Sequence, residues 1–308
     1  MKKDLYELKE LDIYVNLSAS VDGKYMEENR PYGKKLDLLD NNYRDDNYYD
    51  KVFKFAKEFD FGFHPMIYSK NIKNWKKNFE WFQEQFEKYD LPWTNIYLLQ
   101  VRNKEWDEES NIEFYNFIRY LINWSWEKIN DKDEFINFLF KNKTYRTNGF
   151  NILRGPLVSY DQGYTCGIQR ELSIRLNDMK VFPCHRLMYP GFEIGQFEYL
   201  KDEKKFIFNT KNASLGLNIF AGNFRSMPEC VKCPMNELCL GGCLGAQYET
   251  TKNITAPIPT VCQNSFYYLK ALADGFDELG LFPDIENYVT EKVLYQLQLL
   301  RRISFNDK

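Results

Sequence analysis

Hydrophobic residues in the first half of the chain recur with two periods, one typical of strands and one of helices. An alternating pattern predicts strands over residues 11–22, 61–69 and 94–101. The side chains predicted to be buried in the first strand are Ile13, Val15 and Leu17. The sequence Asp22-Gly23 is predicted to end that strand.

Between these strands, hydrophobic residues at three- and four-residue steps predict amphipathic helices over residues 45–59, 71–90 and 107–129. The side chains predicted to face the core are Val52, Phe53, Ala56, Phe59, Ile72, Trp75, Phe79, Phe82, Phe86, Ile112, Phe117, Leu121 and Trp124. Because strands alternate with helices, residues 1–150 are predicted to form an α/β domain with parallel strands.

The pattern changes near residues 154–164, where long helical periods give way to dense turn signals. Residues 171–184 predict a β-hairpin in which Leu172, Ile174 and Leu176 alternate before a turn at Asn177-Asp178. Two further helices are predicted over residues 263–275 and 284–302. The side chains predicted to be buried in the last helix are Ile285, Val289, Val293 and Leu297.

Charge and composition argue against some binding partners and indicate the cellular compartment. The 41 basic and 44 acidic residues are interspersed along the 308 positions and give a net charge of −3, which argues against nucleic-acid binding. No run of about 18 apolar residues is present, so no membrane association is expected. The first residues, MKKDLYELKELD, carry acids where a secretory signal needs an apolar run, and we therefore expect a cytoplasmic protein.

The chain contains seven cysteines, an odd number, and cytoplasmic thiols are kept reduced. Clustered cysteines therefore indicate a metal site. They are Cys166, Cys184, Cys230, Cys233, Cys239, Cys243 and Cys262. One all-thiolate zinc site would use four of them, whereas two iron-sulfur clusters would use most or all. The spacing favours clusters but leaves zinc open.

The order C-x17-C, C-x2-C-x5-C-x3-C and a last cysteine resembles the seven-cysteine SPASM domain of radical SAM enzymes that modify peptides and proteins. The segment VFPCHR at 181–186 is similar to the family's segment around its second cysteine. The resemblance implies a loop-rich SPASM domain over 151–268, followed by a helical extension over 269–308.

The resemblance also implies how the cysteines divide between two auxiliary 4Fe-4S clusters. One cluster would be held by Cys166, Cys184 and Cys243. The other would be held by the remaining cysteines, Cys230, Cys233, Cys239 and Cys262. The first cluster then has three cysteine ligands, and its fourth iron is open to substrate, water or a non-cysteine ligand.

Met179 departs from the family pattern, because the family has a glycine of the hairpin turn at this position. Asn177 and Asp178 readily adopt positive φ, so we expect them to carry the turn and to shift the hairpin.

The first half resembles the fourth strand and following loop of a radical SAM partial (β/α)6 barrel, in the segment VNLSASVDGKYMEENR. In relatives, the positions of Ser18, Ser20, Asp22 and Arg30 line the cleft near S-adenosylmethionine or substrate. The alternative is structural: Asp22-Gly23 forms a turn and Arg30 is a surface residue. The resemblance implies that residues 1–150 are the C-terminal half of such a barrel.

The three-cysteine motif C-x3-C-x2-C, which binds the SAM-cleaving cluster in this family, does not occur in the sequence. We therefore expect S-adenosylmethionine as a cofactor only if an N-terminal half is supplied. A truncated gene, a split enzyme with a separate chain completing the barrel, and a degenerate protein with auxiliary clusters alone are three ways to explain this.

The expected function is the auxiliary iron-sulfur portion of a radical SAM enzyme that oxidatively modifies a peptide or protein, with a flavodoxin or ferredoxin as electron donor. One alternative is a non-catalytic iron-sulfur protein that transfers electrons or binds a peptide, and another is a zinc-stabilised module. The only histidines, His64 and His185, do not form a hydrolase or zinc-protease motif. We expect a core histidine and a hydrogen-bond partner of the metal site, respectively.

Overall fold

The computed structural model describes residues 2–13, 17–29, 47–101, 105–140, 150–158, 168, 172–220, 222 and 224–303. In chain order, the elements of the first half are α1 (Lys2–Glu10), β1 (Ser18–Ala19), α2 (Tyr48–Phe59), β2 (Gly62–Phe63), β3 (Met66–Ile67), α3 (Trp75–Lys88), β4 (Leu99–Gln100), α4 (Glu108–Ile129), α5 (Lys132–Phe140) and α6 (Asn151–Val158). Those of the second half are β5 (Ser173–Arg175), β6 (Lys180–Phe182), β7 (Gly195–Leu200), β8 (Lys205–Thr210), α7 (Ala213–Phe220), α8 (Pro228–Val231), α9 (Leu244–Thr251), α10 (Pro259–Glu278), α11 (Phe282–Ile285) and α12 (Glu291–Arg302).

The chain divides into two compact units, residues 1–101 with 126–154 and residues 102–125 with 155–308. The predicted boundaries at 150 and 268 stay a prediction. None of the helices in the described ranges combines the length and hydrophobicity that a membrane crossing requires.

The first unit contains short parallel strand pairs connected through helices. Strand β1 pairs with β2, and β3 pairs with β4, both in parallel. Because α2 lies between β1 and β2 in sequence and α3 lies between β3 and β4, the predicted α/β class is confirmed. No closed barrel is formed by the strands in the described part of the chain.

Aromatic packing dominates the core of the first unit. The rings of Phe53 and Phe63 stack with centroids 4.6 Å apart, and Phe82 and Phe86 lie 5.7 and 5.6 Å from Phe63. All five side chains predicted to be buried over residues 71–90 are buried. This confirms that their spacing marks the core face of α3 and the 3-10 turn before it.

Three side chains that the hydrophobic pattern predicted to be buried are not buried. Ile13 is 49% exposed, because it follows the end of helix α1 at Glu10, and its N–H bonds the carbonyl of Leu8 at 2.9 Å instead of joining a strand. Ile112 is 41% exposed, since the buried face of α4 runs along neighbouring positions instead. Val289 is half-buried and not helical, because the Thr290 hydroxyl caps a new helix by accepting the Val293 N–H.

Other predicted core positions are only partly covered, or lie outside the described residues. Leu17, Val52, Phe59 and Trp124 are half-buried. Val15 falls outside the described ranges.

In the second unit, helix α10 is fixed by buried polar contacts as well as by packing. Asn264 donates to Asn111 on α4 at 2.7 Å, and Tyr115 donates to Asp274 at 2.6 Å. Lys270 is almost completely buried and pairs with Asp274 at 2.9 Å. These contacts fix the helix whose first turn carries Cys262.

Candidate metal centre

A four-stranded antiparallel sheet, in the order β5-β6-β7-β8, carries Cys184 two residues after the end of β6. The predicted hairpin is confirmed: Ile174 pairs with Val181, and Arg175 pairs with Lys180. The turn differs from expectation, because the positive φ of 55° belongs to Met179 itself. Asn177 and Asp178 therefore do not replace the missing glycine, and Met179 adopts the left-handed conformation directly.

An ion pair clamps this turn. The Arg175 guanidinium donates to both carboxylate oxygens of Asp178, at 2.9 and 2.6 Å. These hydrogen bonds lower the pKa of Asp178 to about 2. The Asp178 carbonyl also accepts from Gln196 on β7 at 2.9 Å, which ties the turn to the next strand.

Cys184 and Cys243, which we call the hairpin thiols, share one cationic neighbour. The backbone N–H of Arg186 donates to Cys184 Sγ at 3.4 Å, and its guanidinium lies 3.8 Å from Cys243 Sγ. The same guanidinium pairs with Glu249 on α9. Burial, and then proximity to Cys243, raises the pKa of Cys184, so the two sulfurs interact although they are 59 positions apart in sequence.

Gly245 makes this approach possible. A Cβ at position 245 would lie 2.5 Å from Cβ of Arg186, too close for any larger residue without movement. The glycine thus lets α9, which begins directly after Cys243, pack against the short helix that follows Cys184.

The remaining described cysteines, Cys230, Cys233, Cys239 and Cys262, form what we call the four-thiol group. Burial, and then the thiolates of Cys239 and Cys233, raise the pKa of Cys230 to about 11. Cys262 keeps one side in solvent, but desolvation on its other side and the thiolates of Cys239, Cys230 and Cys233 raise its pKa to about 11. The four sulfurs therefore lie close enough to repel one another when ionised.

Consecutive tight turns position the first three of these cysteines. The Cys233 N–H bonds the Cys230 carbonyl at 3.0 Å, and the Cys239 N–H bonds the Met235 carbonyl at 2.8 Å. The Gly241 N–H donates to Cys239 Sγ at 3.3 Å. Backbone amides directed at a thiolate stabilise its negative charge.

Side chains distant in sequence brace this loop. Arg225 donates to the carbonyls of Asn236 and Glu237 at 3.1 and 2.9 Å. Gln296 on α12 accepts from the N–H groups of Glu237 and Leu238, both at 3.1 Å. The loop is thus fixed by its polar backbone groups from two sides.

Gly241 is required by its conformation and by its surroundings. Its φ is +68°, and a Cβ would lie 2.2 Å from the ring of the buried Phe224. Gly241 therefore lets the backbone of the loop lie directly against this aromatic ring.

A cavity of about 40 Å³ lies between the loop and the first turn of α10. Its lining includes sulfur-bearing residues from both groups, namely Cys230, Cys239, Cys243 and Cys262. Gln247 also lines it and is 1% exposed, and its Oε1 has no hydrogen-bond partner among the described residues.

The chemistry of the donor set is compatible with a thiolate-bound metal or iron-sulfur group. Thiols are the ligands that both zinc and iron-sulfur clusters use. Within the described ranges, no three His, Cys, Asp or Glu side chains already form an arrangement that could hold a metal ion.

The structure brings together six of the seven predicted cysteine ligands in these two groups, while Cys166 lies outside the described residues. His185 Nδ1 lies 3.9 Å from Sγ of Cys184, and its predicted role beside a metal site stays a prediction. His64 is half-buried and packs on Tyr97, with ring centroids 5.0 Å apart.

The residues predicted to line a cofactor cleft lie in the first unit. Asp22 is fully buried, and its Oδ1 accepts the Met66 N–H at 2.7 Å. Ser18 and Ser20 are exposed, and Arg30 falls outside the described ranges. The contact of Asp22 agrees with a structural role, and the cofactor role of these four residues stays a prediction.

Sequence reasoning missed Arg225, Gln296 and Gln247. Arg225 and Gln296 act on backbone groups, so no residue-type pattern marks them. Gln247 lies one helical turn after Cys243, and this spacing is the only sequence signal that could have drawn attention to it.

No protein-family model matches this chain, and no curated protein does.

Proposed function

We propose that the second unit is an auxiliary iron-sulfur module of the SPASM type, with two 4Fe-4S clusters. The observation that carries the proposal is the division of the described cysteines into the four-thiol group and the hairpin thiols. Cys243 acts on the pKa of Cys184 although it is only four positions from Cys239. The resemblance implies the same interleaved division.

The chain's own residues would prepare two different environments. Tight turns and the N–H of Gly241 direct donors at the thiolates of the four-thiol group. The Arg186 guanidinium places positive charge beside the hairpin thiols. When bound, iron-sulfur clusters supply one-electron transfer, with potentials set by hydrogen bonds to sulfur and by solvent exposure.

The wider proposal is that this module serves a radical SAM enzyme that oxidatively modifies a peptide or protein in the cytoplasm, reduced by a flavodoxin or ferredoxin. Residues 1–150 would then be the second half of its partial barrel. Because C-x3-C-x2-C is absent from these residues, the 308-residue chain alone should release no 5′-deoxyadenosine from S-adenosylmethionine. Its release by the purified chain would contradict this part of the proposal.

A zinc-stabilised module is the second candidate, because the four-thiol group alone has the ligand number of a structural zinc site. Anaerobic purification followed by iron, zinc and acid-labile sulfide analysis separates the two. Two 4Fe-4S clusters require about eight iron and about eight sulfide ions per chain. One zinc without sulfide would contradict the proposed function.

A further inference from the structure

Arg186 directs a hydrogen-bond donor at each of the two hairpin thiols. Its backbone N–H donates to Sγ of Cys184 at 3.4 Å, and its guanidinium donates to Sγ of Cys243 at 3.8 Å. These cysteines come from distant parts of the sequence, so a single residue serves both halves of one predicted ligand set. Charge-assisted hydrogen bonds to a thiolate stabilise its negative charge.

The position of this guanidinium is fixed at both ends of the side chain. Arg186 lies in the 3-10 turn His185–Leu187, and the side chain of Leu187 is fully buried. At the other end, Nη2 pairs with the carboxylate of Glu249 on α9, whereas Nη1 is the nitrogen that donates to Cys243. Because different nitrogens serve the two partners, pairing with Glu249 leaves the donor to sulfur in place.

We propose that Arg186 raises the reduction potential of the cluster held by the hairpin thiols, through the hydrogen bonds and the positive charge that it directs at their sulfurs. This inference rests on the proposed function. Reduction adds one negative charge to a cluster, and a neighbouring cation stabilises that charge. Because the Arg186 side chain is 41% exposed, solvent screens part of this stabilisation.

The test is a redox titration of the anaerobically purified chain, followed by EPR, with Arg186→Gln as the variant. Glutamine keeps a polar side chain but carries no charge. The reduced-to-oxidised ratio of the hairpin cluster should fall about tenfold at a fixed potential, which is about 59 mV for a one-electron couple. The other cluster should keep its potential. The signal of the hairpin cluster is the one that Cys184→Ala lacks.

Two further variants separate charge from disturbance of the hairpin. Arg175→Gln is the matched control, because Arg175 lies on the same hairpin, is 35% exposed, and directs its donors at Asp178. It should leave both potentials unchanged, and a shift like that of Arg186→Gln would overturn the proposal. Arg186→Lys keeps a positive charge and should lower the potential less than Arg186→Gln. An equal shift would overturn the proposal, because charge would then not be the cause.

Other outcomes also decide the question. An Arg186→Gln chain with full iron and sulfide but unchanged potentials overturns the inference and leaves the proposed function intact. An equal fall in both clusters also overturns it, because the effect would not be local to the hairpin thiols. Wild-type chain with zinc and no sulfide contradicts the proposed function itself.

If Arg186→Gln loses iron, pulsed EPR of the reduced wild-type chain decides, with ¹⁵N in the guanidinium nitrogens of its arginines. Backbone amides stay unlabelled, so only an arginine side chain can give a ¹⁵N coupling. A coupling in the signal that Cys184→Ala lacks supports the hydrogen bond to the hairpin cluster. Absence of coupling in that signal overturns it.

Discussion

The four-thiol group and the hairpin thiols differ in what holds them. The loop of the four-thiol group is fixed through its backbone, by Arg225 and Gln296, and through the close packing of Gly241 on Phe224. The hairpin thiols are positioned by a strained turn and lie beside the charge of Arg186. Substitutions that disturb the loop backbone should therefore disrupt the arrangement of the four-thiol group. Substitutions that change charge or turn conformation should instead affect the hairpin thiols.

The largest expected effect comes from removing one thiol of each group. Under the proposed function, Cys239→Ala should lose about half of the bound iron and sulfide, and Cys184→Ala should lose the other half. Each variant should retain the EPR signal that the other loses. Iron and sulfide analysis with EPR checks this, and retention of all iron in Cys239→Ala would show that the two groups are divided wrongly.

The next largest effect expected is the loss of folding stability when a side chain is added at Gly241. Gly241→Ala combines left-handed backbone strain with a contact of 2.2 Å to the ring of Phe224. Gly280→Ala is the control, because Gly280 has a similar φ of +64° but no atom within 4 Å of an added Cβ. We expect Gly241→Ala to be more destabilising than Gly280→Ala by about 1–3 kcal/mol, the usual cost of overpacking.

Denaturant unfolding of both variants, with metal content measured in parallel, checks this difference. Equal destabilisation would mean that Phe224 moves aside freely and that the loop is less constrained than its contacts indicate.

The fold was predictable where a single element determines burial. The spacing of Trp75, Phe79, Phe82 and Phe86 predicted the buried face of α3, and all four are buried. The strand prediction over residues 11–22 was wrong at Ile13, because a helix cap leaves no simple hydrophobic pattern. Local periodicity thus identified long helices better than it identified chain segments around their ends.

Only the cysteines of the candidate site were recognisable from the sequence. Their number and spacing predicted a metal site, whereas the division between two clusters, which the resemblance implies, stays a prediction. The supporting contacts were not predictable, because Gln296 meets Glu237 across 59 positions of sequence. Met179 shows the same limit, since its left-handed conformation is imposed by pairing on both sides of the turn.

A smaller effect is expected from relieving strain in the hairpin. Met179→Gly should stabilise the chain by about 0.5–1 kcal/mol, because relief of left-handed strain exceeds the added entropy of the unfolded chain. Met179→Ala is the control, since it shortens the side chain without freeing the backbone. Thermal unfolding compares them, and a gain of equal size in both variants would place the effect in the side chain.

The smallest expected effect is the pH dependence of the ion pair in the same turn. Since the pKa of Asp178 is lowered to about 2 in the folded chain, its carboxylate stabilises the hairpin at every pH above its unfolded pKa of about 3.9. That contribution is lost only as the pH falls from about 4 towards 2. Asp178→Asn should therefore lower the thermal midpoint by the same amount at pH 5, 6, 7 and 8. A difference between wild type and variant that changes across this range would assign the titration to a group other than Asp178.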